Sequence, residues 1–190
     1  GYRTAEDAFK KLLIEDENNI DALRFMGILA FKSGNHDIAE AMLTKALRLD
    51  PTYSLVWANL AQVYSVTGQL DKAKKSFKNI LNMEPRNGLI WAEYGTVLTK
   101  LANYKESKDA YLKALDFKSD SPRVHLSLGH VYKTMGEIEN SIDSYKNTII
   151  QNKLSGEAYW SLANLKTYSF SENEIKVREE TLKADMSDVE

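Results

Sequence analysis

The chain has 190 residues, with 25 Lys plus Arg against 27 Asp plus Glu, a formal net charge of −2. That balance excludes a protein built to neutralise a nucleic-acid backbone, which needs a basic excess. Cysteine is absent, so disulfides, thiol catalysis and cysteine-held metals are excluded, and the usage is compatible with a reducing, cytoplasmic location. Apolar runs of a few residues fall far short of the ~20 needed to cross a bilayer, so no membrane partner is expected.

In chain order, Tyr2–Glu17 predicts a first helix, with Ala5, Phe9 and Leu13 on one stripe. From Ile20 a fixed beat sets in. Gly34, Gly68 and Gly136 lie at multiples of 34, with Ala102 in the missing slot. A bulky residue recurs at Leu23, Trp57, Trp91, His125 and Tyr159. Three residues on stand Met26, Leu60, Tyr94, Leu128 and Leu162, each followed by a small residue: Gly27, Ala61, Gly95, Gly129 and Ala163. A second small position recurs at Ala39, Ala73, Ser107 and Ser141, with a large residue four places later at Leu43, Phe77, Tyr111 and Tyr145. A period in this range marks a stacked-repeat architecture.

Helical geometry explains the pattern. Trp57, Leu60, Ala61 and Tyr64 share one face of a helix, and Ala73, Phe77 and Ile80 share a face of the next. Small residues mark the closest approach of the two helices, and large ones fill the space beside it. The glycines end the first helix in a left-handed conformation, while Pro51 and Pro85 stand where the second must stop. Pro122 suits the first turn of a helix. Each unit is a helix–turn–helix.

Trp57, Leu60, Ala61, Tyr64, Gly68, Ala73, Phe77 and Pro85 resemble the tetratricopeptide repeat, which has those residue types at that spacing. The resemblance implies an all-α fold, a right-handed superhelical solenoid of antiparallel helix pairs. Complete units are expected at residues 20–53, 54–87, 88–121 and 122–155, although Ser119 and Lys153 replace the closing proline in the last two. Residues 1–19 then read as the second helix of a unit whose first helix lies upstream, leaving Phe9 and Leu13 open to water or to another copy of the chain. Gly156–Tyr168 fits a further first helix. Beyond it the pattern fails, and Ser171 with Glu174 forms a capping box opening a helix from about Glu172 to Ala184. Residues 156–190 are thus a degenerate unit.

The run Glu157–Tyr168, followed by Phe170-Ser171 and Glu174-Ile175, carries a second resemblance. It is similar to the segment ending the first repeat block in bacterial tetratricopeptide proteins fused to a sulfotransferase. That resemblance implies a non-catalytic portion of such an enzyme, which would position the acceptor. The donor-binding loop of that family, Gly-x-Pro-Arg-Ser-Gly-Thr-Thr, does not occur in this sequence.

Neither catalytic residues, nor a cofactor, nor a metal are expected. His125 occupies a core slot as a packing residue with one hydrogen bond, His36 lies in a turn, and no nucleophile motif accompanies any histidine. Lys72, Lys74, Lys75 and Lys78 read as a solvated outer face. The tetratricopeptide resemblance implies that first helices line a concave groove. Its groove positions fall on Arg24, Ile28, Lys32, Asn59, Gln62, Thr96, Lys100, Arg123, His130, Lys133, Trp160 and Asn164. With Asp21, Glu93 and Glu157 among them the groove is mildly positive, suiting a protein or peptide ligand: amides for its backbone, cations for its carboxylates. The chaperone-tail carboxylate clamp of the family is not expected, because Phe25 and Glu93 stand where Asn59 has its counterparts.

Overall fold

The computed structural model describes residues 2–187, with side chains described for residues 6–183. Within them the fold is all-α: α1 (Tyr2–Glu15), α2 (Ile20–Lys32), α3 (His36–Leu49), α4 (Ser54–Val66), α5 (Leu70–Met83), α6 (Gly88–Lys100), α7 (Tyr104–Asp116), α8 (Pro122–Met135), α9 (Ile138–Gln151), α10 (Gly156–Ala163) and α11 (Glu172–Ser187). First helices begin at Ile20, Ser54, Gly88, Pro122 and Gly156, 34 residues apart.

Helix ends follow from local chemistry. Asn19, Asn87 and Ser121 accept a backbone N–H from Ala22, Ile90 and Val124, capping α2, α6 and α8, and Pro122 opens α8. First helices end in one repeated turn. The N–H groups of Asn35, Gln69, Asn103 and Glu137 reach back to the carbonyls of Ala30, Tyr64, Leu98 and Tyr132 at 2.8–2.9 Å. This closure needs a left-handed residue just before the donor. Gly34, Gly68 and Gly136 supply it at φ +78°, +76° and +79°, and Ala102 is forced to φ +58°.

Within each pair the small positions bring the helices together. A Cβ added to Gly95 or Gly129 would stand 3.0 Å or less from the ring of Tyr111 or Tyr145. Leu43, Phe77, Tyr111 and Tyr145 are accordingly buried. Ser107 and Ser141, in slots that alanine fills elsewhere, donate to the carbonyls of Gly95 and Gly129 at 2.9 and 3.0 Å, so each buried hydroxyl is satisfied.

Each helix from α1 to α9 packs on the next in the chain, and α2 also touches α4 as α6 touches α8. First helices of successive pairs therefore lie on the closer, inner side of the stack. The assembly is a right-handed superhelical solenoid with a core running along it.

Three expectations are corrected. Phe9 and Leu13 are not left fully open to water but are half-buried: the Phe9 ring stacks on Phe25 at 4.7 Å, and Leu13 packs against the core. Leu12 and Ile14 point outward instead, and the side chain of Ala5 lies outside the described residues. α10 stops at Ala163 rather than Tyr168, because Leu165 turns inward to a buried position and the Asn164 amide donates to the Trp160 carbonyl. His36 begins α3 rather than lying in a turn.

The capping box that opens α11 forms as expected. Ser171 N–H donates to Glu174 Oε2 at 2.8 Å, and Glu174 N–H donates to Ser171 Oγ at 3.3 Å. Glu174 also accepts from the Tyr168 hydroxyl, and Arg178 donates to the Lys153 carbonyl at 2.9 Å, so side chains hold α11 in place. The bonds from Tyr168 and Ser171 hold the Glu174 carboxyl down at about 2, from 4.5. A carboxyl lowered in the fold stabilises it above the unfolded value and stops doing so as pH falls through the folded one. Amide protection across α11 is expected to fall between about pH 4.5 and 2. Glu174→Gln should show weakened protection at pH 7 and no step in that window, measured by hydrogen exchange.

Candidate functional site

The residues that the repeat phase assigns to the groove form one stripe on each first helix. Arg24, Ile28 and Lys32 follow one another at four-residue intervals along α2. Arg24 and Ile28 are half-buried and Lys32 is exposed. α4 presents Asn59, half-buried, and Gln62, exposed; α6 presents Thr96, half-buried, and Lys100, exposed. Arg123 is exposed on α8, with His130 and Lys133 half-buried, while Trp160 on α10 is 66% exposed and Asn164 caps that helix.

At the α2–α4 end, the Arg24 guanidinium lies 4.4 Å from the centre of the Phe25 ring and 5.8 Å from that of Tyr53. The Tyr53 hydroxyl donates to Asp21 at 2.7 Å. Arg24 Nε and Asn59 Oδ1 are buried without a hydrogen-bond partner. Unpaired buried polar atoms cost roughly 1–3 kcal/mol each, so a ligand that pairs with them gains correspondingly.

Between α6 and α8 a cavity of about 280 Å³ brings Thr96 and Arg123 together, with Leu89, Glu93, Tyr111 and Ser127 around them. Thr96 Oγ1 and the Tyr111 hydroxyl are 3.1 Å apart. Arg123 sits 3.5 Å from Glu93, an exposed pair that water screens and a ligand carboxylate could displace. At the α8–α10 end His130 Nδ1 meets the Tyr145 hydroxyl at 2.9 Å and its Nε2 lies 3.3 Å from Glu157. His130 is thus engaged within the scaffold. Gln62, Lys100 and Lys133 meet no polar partner among the described residues and stand free along the face.

His125 behaves as a packing residue with one hydrogen bond, 2.8 Å to Asp120. Sequence reasoning passed over Tyr53 and Tyr111, which sit at a helix start and in a second-helix core slot yet reach the inner face. Tyr111 differs from Phe77 in the same slot by its hydroxyl, and Tyr53 stands where the other units hold Asn19, Asn87, Ser121 and Ser155. Among the described residues no group of three His, Asp or Glu converges to hold a metal, and no helix is long and apolar enough to cross a membrane.

Comparison with known proteins bears on this arrangement. Two tetratricopeptide repeat family models match, one over residues 2–63 and 30–82, the other over 89–121 and 122–147. No curated protein matches the sequence. Among solved structures, a MamA crystal structure superposes with a TM-score of 0.73 at 21% identity, covering 78% of this chain and 87% of that one. MamA from Desulfovibrio magneticus RS-1, from residue 41 to its end, gives 0.74 at 16% identity, with 81% and 87% covered. YrrB, described as a TPR protein with an unusual peptide-binding site, gives 0.73 at 21% identity, with 82% and 80% covered. At these identities the likeness is one of fold.

Proposed function

Because the chain belongs to the tetratricopeptide repeat family, we propose that it is an interaction scaffold holding an extended or helical segment of another protein along its first-helix face. The observation that carries this reading is the pair of buried, unpartnered polar atoms on that face, Arg24 Nε and Asn59 Oδ1. A peptide backbone offers an acceptor for the first and a donor for the second. Exposed Leu55 on α4 and Leu89 at the α6–α8 cavity add apolar surface, and Lys100 and Lys133 add charge. The peptide-binding site ascribed to YrrB supports the same mode on a similar scaffold. Because the helices are already ordered by packing, binding draws little on receptor entropy.

The test is to select peptides from a random phage-displayed library on the whole chain and titrate the winners against variants. Asn59→Ala should weaken them about tenfold, as loss of a hydrogen bond to a desolvated group does. Arg123→Glu combined with Lys133→Glu should abolish binding of acidic winners. Unchanged affinity in both variants would place the site elsewhere.

The alternative of an acceptor-positioning segment of a sulfotransferase gains no support, since the matching family models end at residue 147, before the run that suggested it. Self-assembly through Phe9 and Leu13 gains no support, both being half-buried in contacts within the fold.

A further inference from the structure

We propose that the cleft between α3 and α5, on the outer side of the solenoid, is a second binding site that captures an acidic peptide segment through one bulky apolar side chain. It lies beyond the inner-face reading and does not depend on it.

The cleft has a volume of about 440 Å³. Trp57, Leu60 and Tyr64 of α4 line it, with Arg48 of α3 and Lys72 and Lys75 of α5. No carboxylate lines it. Lys72 is paired with Glu40 at 3.2 Å, and Glu40 in turn accepts from the Tyr64 hydroxyl at 2.9 Å, which neutralises that cation. Arg48 and Lys75 are exposed and have no ionic partner among the described residues. Two uncompensated positive charges therefore stand beside an aromatic and aliphatic lining.

This composition is not a by-product of the repeat. One unit later the positions of Arg48, Lys72 and Lys75 hold Asn82, Glu106 and Asp109, and one unit beyond that Asp116, Asn140 and Asp143. In the first of these, Lys113 lies 4.2 Å from the centre of the Trp91 ring, so the equivalent aromatic face is already covered by the protein's own cation. Asn79 stands in that slot beside Trp57. Among the complete units, only the cleft over Trp57 pairs this basic set with an aromatic lining.

Helix geometry separates this site from the inner groove. At about 100° per residue, Trp57, Leu60 and Tyr64 cluster on one side of α4, and Leu55, Asn59 and Gln62 cluster roughly half a turn away. One helix thus serves two surfaces.

The shape selects the class of occupant. A small molecule is held by a pocket that encloses most of it, whereas this cleft is an open channel between two helices. A peptide can lie along the channel, sink one apolar side chain onto Leu60 and Trp57, and leave its carboxylates at the rim. The Arg48 guanidinium offers a carboxylate a two-pronged donor, and Lys75 a point charge. Apolar anchoring supplies most of the affinity, and the rim charges supply selectivity and encounter rate.

The probe is a short fluorescein-labelled peptide of Asp and Glu with one central Phe, titrated by anisotropy against the whole chain at low ionic strength. Saturable binding is expected, weakened about tenfold by Arg48→Glu with Lys75→Glu and by replacing the peptide's Phe with Ser. Both substituted side chains are exposed, and circular dichroism will verify that the fold is kept. A matching Lys-rich peptide with the same Phe should bind the doubly substituted chain better than wild type. The component of the acidic probe's binding that Arg48→Glu with Lys75→Glu removes should persist in Asn59→Ala and Lys133→Glu, whatever those inner-face variants do to binding in the groove. No saturable binding, equal binding by the doubly substituted chain, or loss of that component through the inner-face variants would each overturn the proposal. The last outcome would favour the groove, and failure of the groove test would leave this cleft unaffected.

Discussion

Gly129→Val is expected to destabilise the chain by about 3 kcal/mol, the upper end of the cost of overpacking a filled core. A Cβ at this position would stand 2.6 and 2.7 Å from two carbons of the Tyr145 ring. That ring is wholly buried, and its hydroxyl is tied to His130 Nδ1 at 2.9 Å, so it cannot swing aside without breaking a hydrogen bond. Relief must come from separating α8 from α9. At about 2–4 °C per kcal/mol for a chain of this size, the melting temperature should fall by roughly 6–12 °C. Adding Tyr145→Leu should restore part of the loss, because a smaller, flexible side chain makes room for the new methyls. An unchanged melting temperature would mean that the helices do not approach this closely. Gly27→Val should be milder, since the obstacle there is the Leu43 side chain rather than a ring.

Ile80→Ala should cost about 3–4 kcal/mol, within the range for emptying a buried aliphatic site. Ile80 is 1% exposed on α5, in the core cluster that joins the first two complete helix pairs to α6. In a solenoid, stability is held in each unit and in its interfaces with its neighbours. A cavity in a central unit weakens both interfaces at once, so chemical denaturation should broaden or split into two steps. Ile150→Ala, at a position 71% exposed, is the control and should change the midpoint little. A single sharp transition with the wild-type midpoint for Ile80→Ala would show that this core is not shared between units.

Legibility from sequence was uneven for physical reasons. Turns and helix pairs were readable because each rests on a local requirement. A left-handed residue closes a helix, proline cannot continue one, and a side chain recurring on one face must be buried. The Ser171–Glu174 capping box was readable for the same reason, since both partners lie within one helical turn. The early end of α10 was not, because Leu165 turns inward only where the preceding stack offers an apolar place for it. The fate of Phe9 was also hidden: its partner Phe25 was read as a groove position, and only packing of α1 on α2 sets the two rings together.

The candidate sites divide similarly. The inner-face residues follow from the repeat phase once first helices are known to line the inside. Their pairing state does not. Arg123 meets Glu93 and His130 meets Tyr145 and Glu157 through contacts between different helices, and no spacing along one helix encodes them. Arg48 and Lys75 are 27 positions apart and become neighbours across a cleft only when α3 and α5 flank α4.

The amino-acid order by itself determined which segments are helical, where the first helices closed by a left-handed residue stop and which side of each is greasy, since those depend on hydrogen bonds and periodicities a few residues long. Three-dimensional packing decided which polar atoms are left without partners and which cations are free of carboxylates. Burial and charge pairing depend on neighbours from distant helices, and only the assembled stack brings those neighbours within reach.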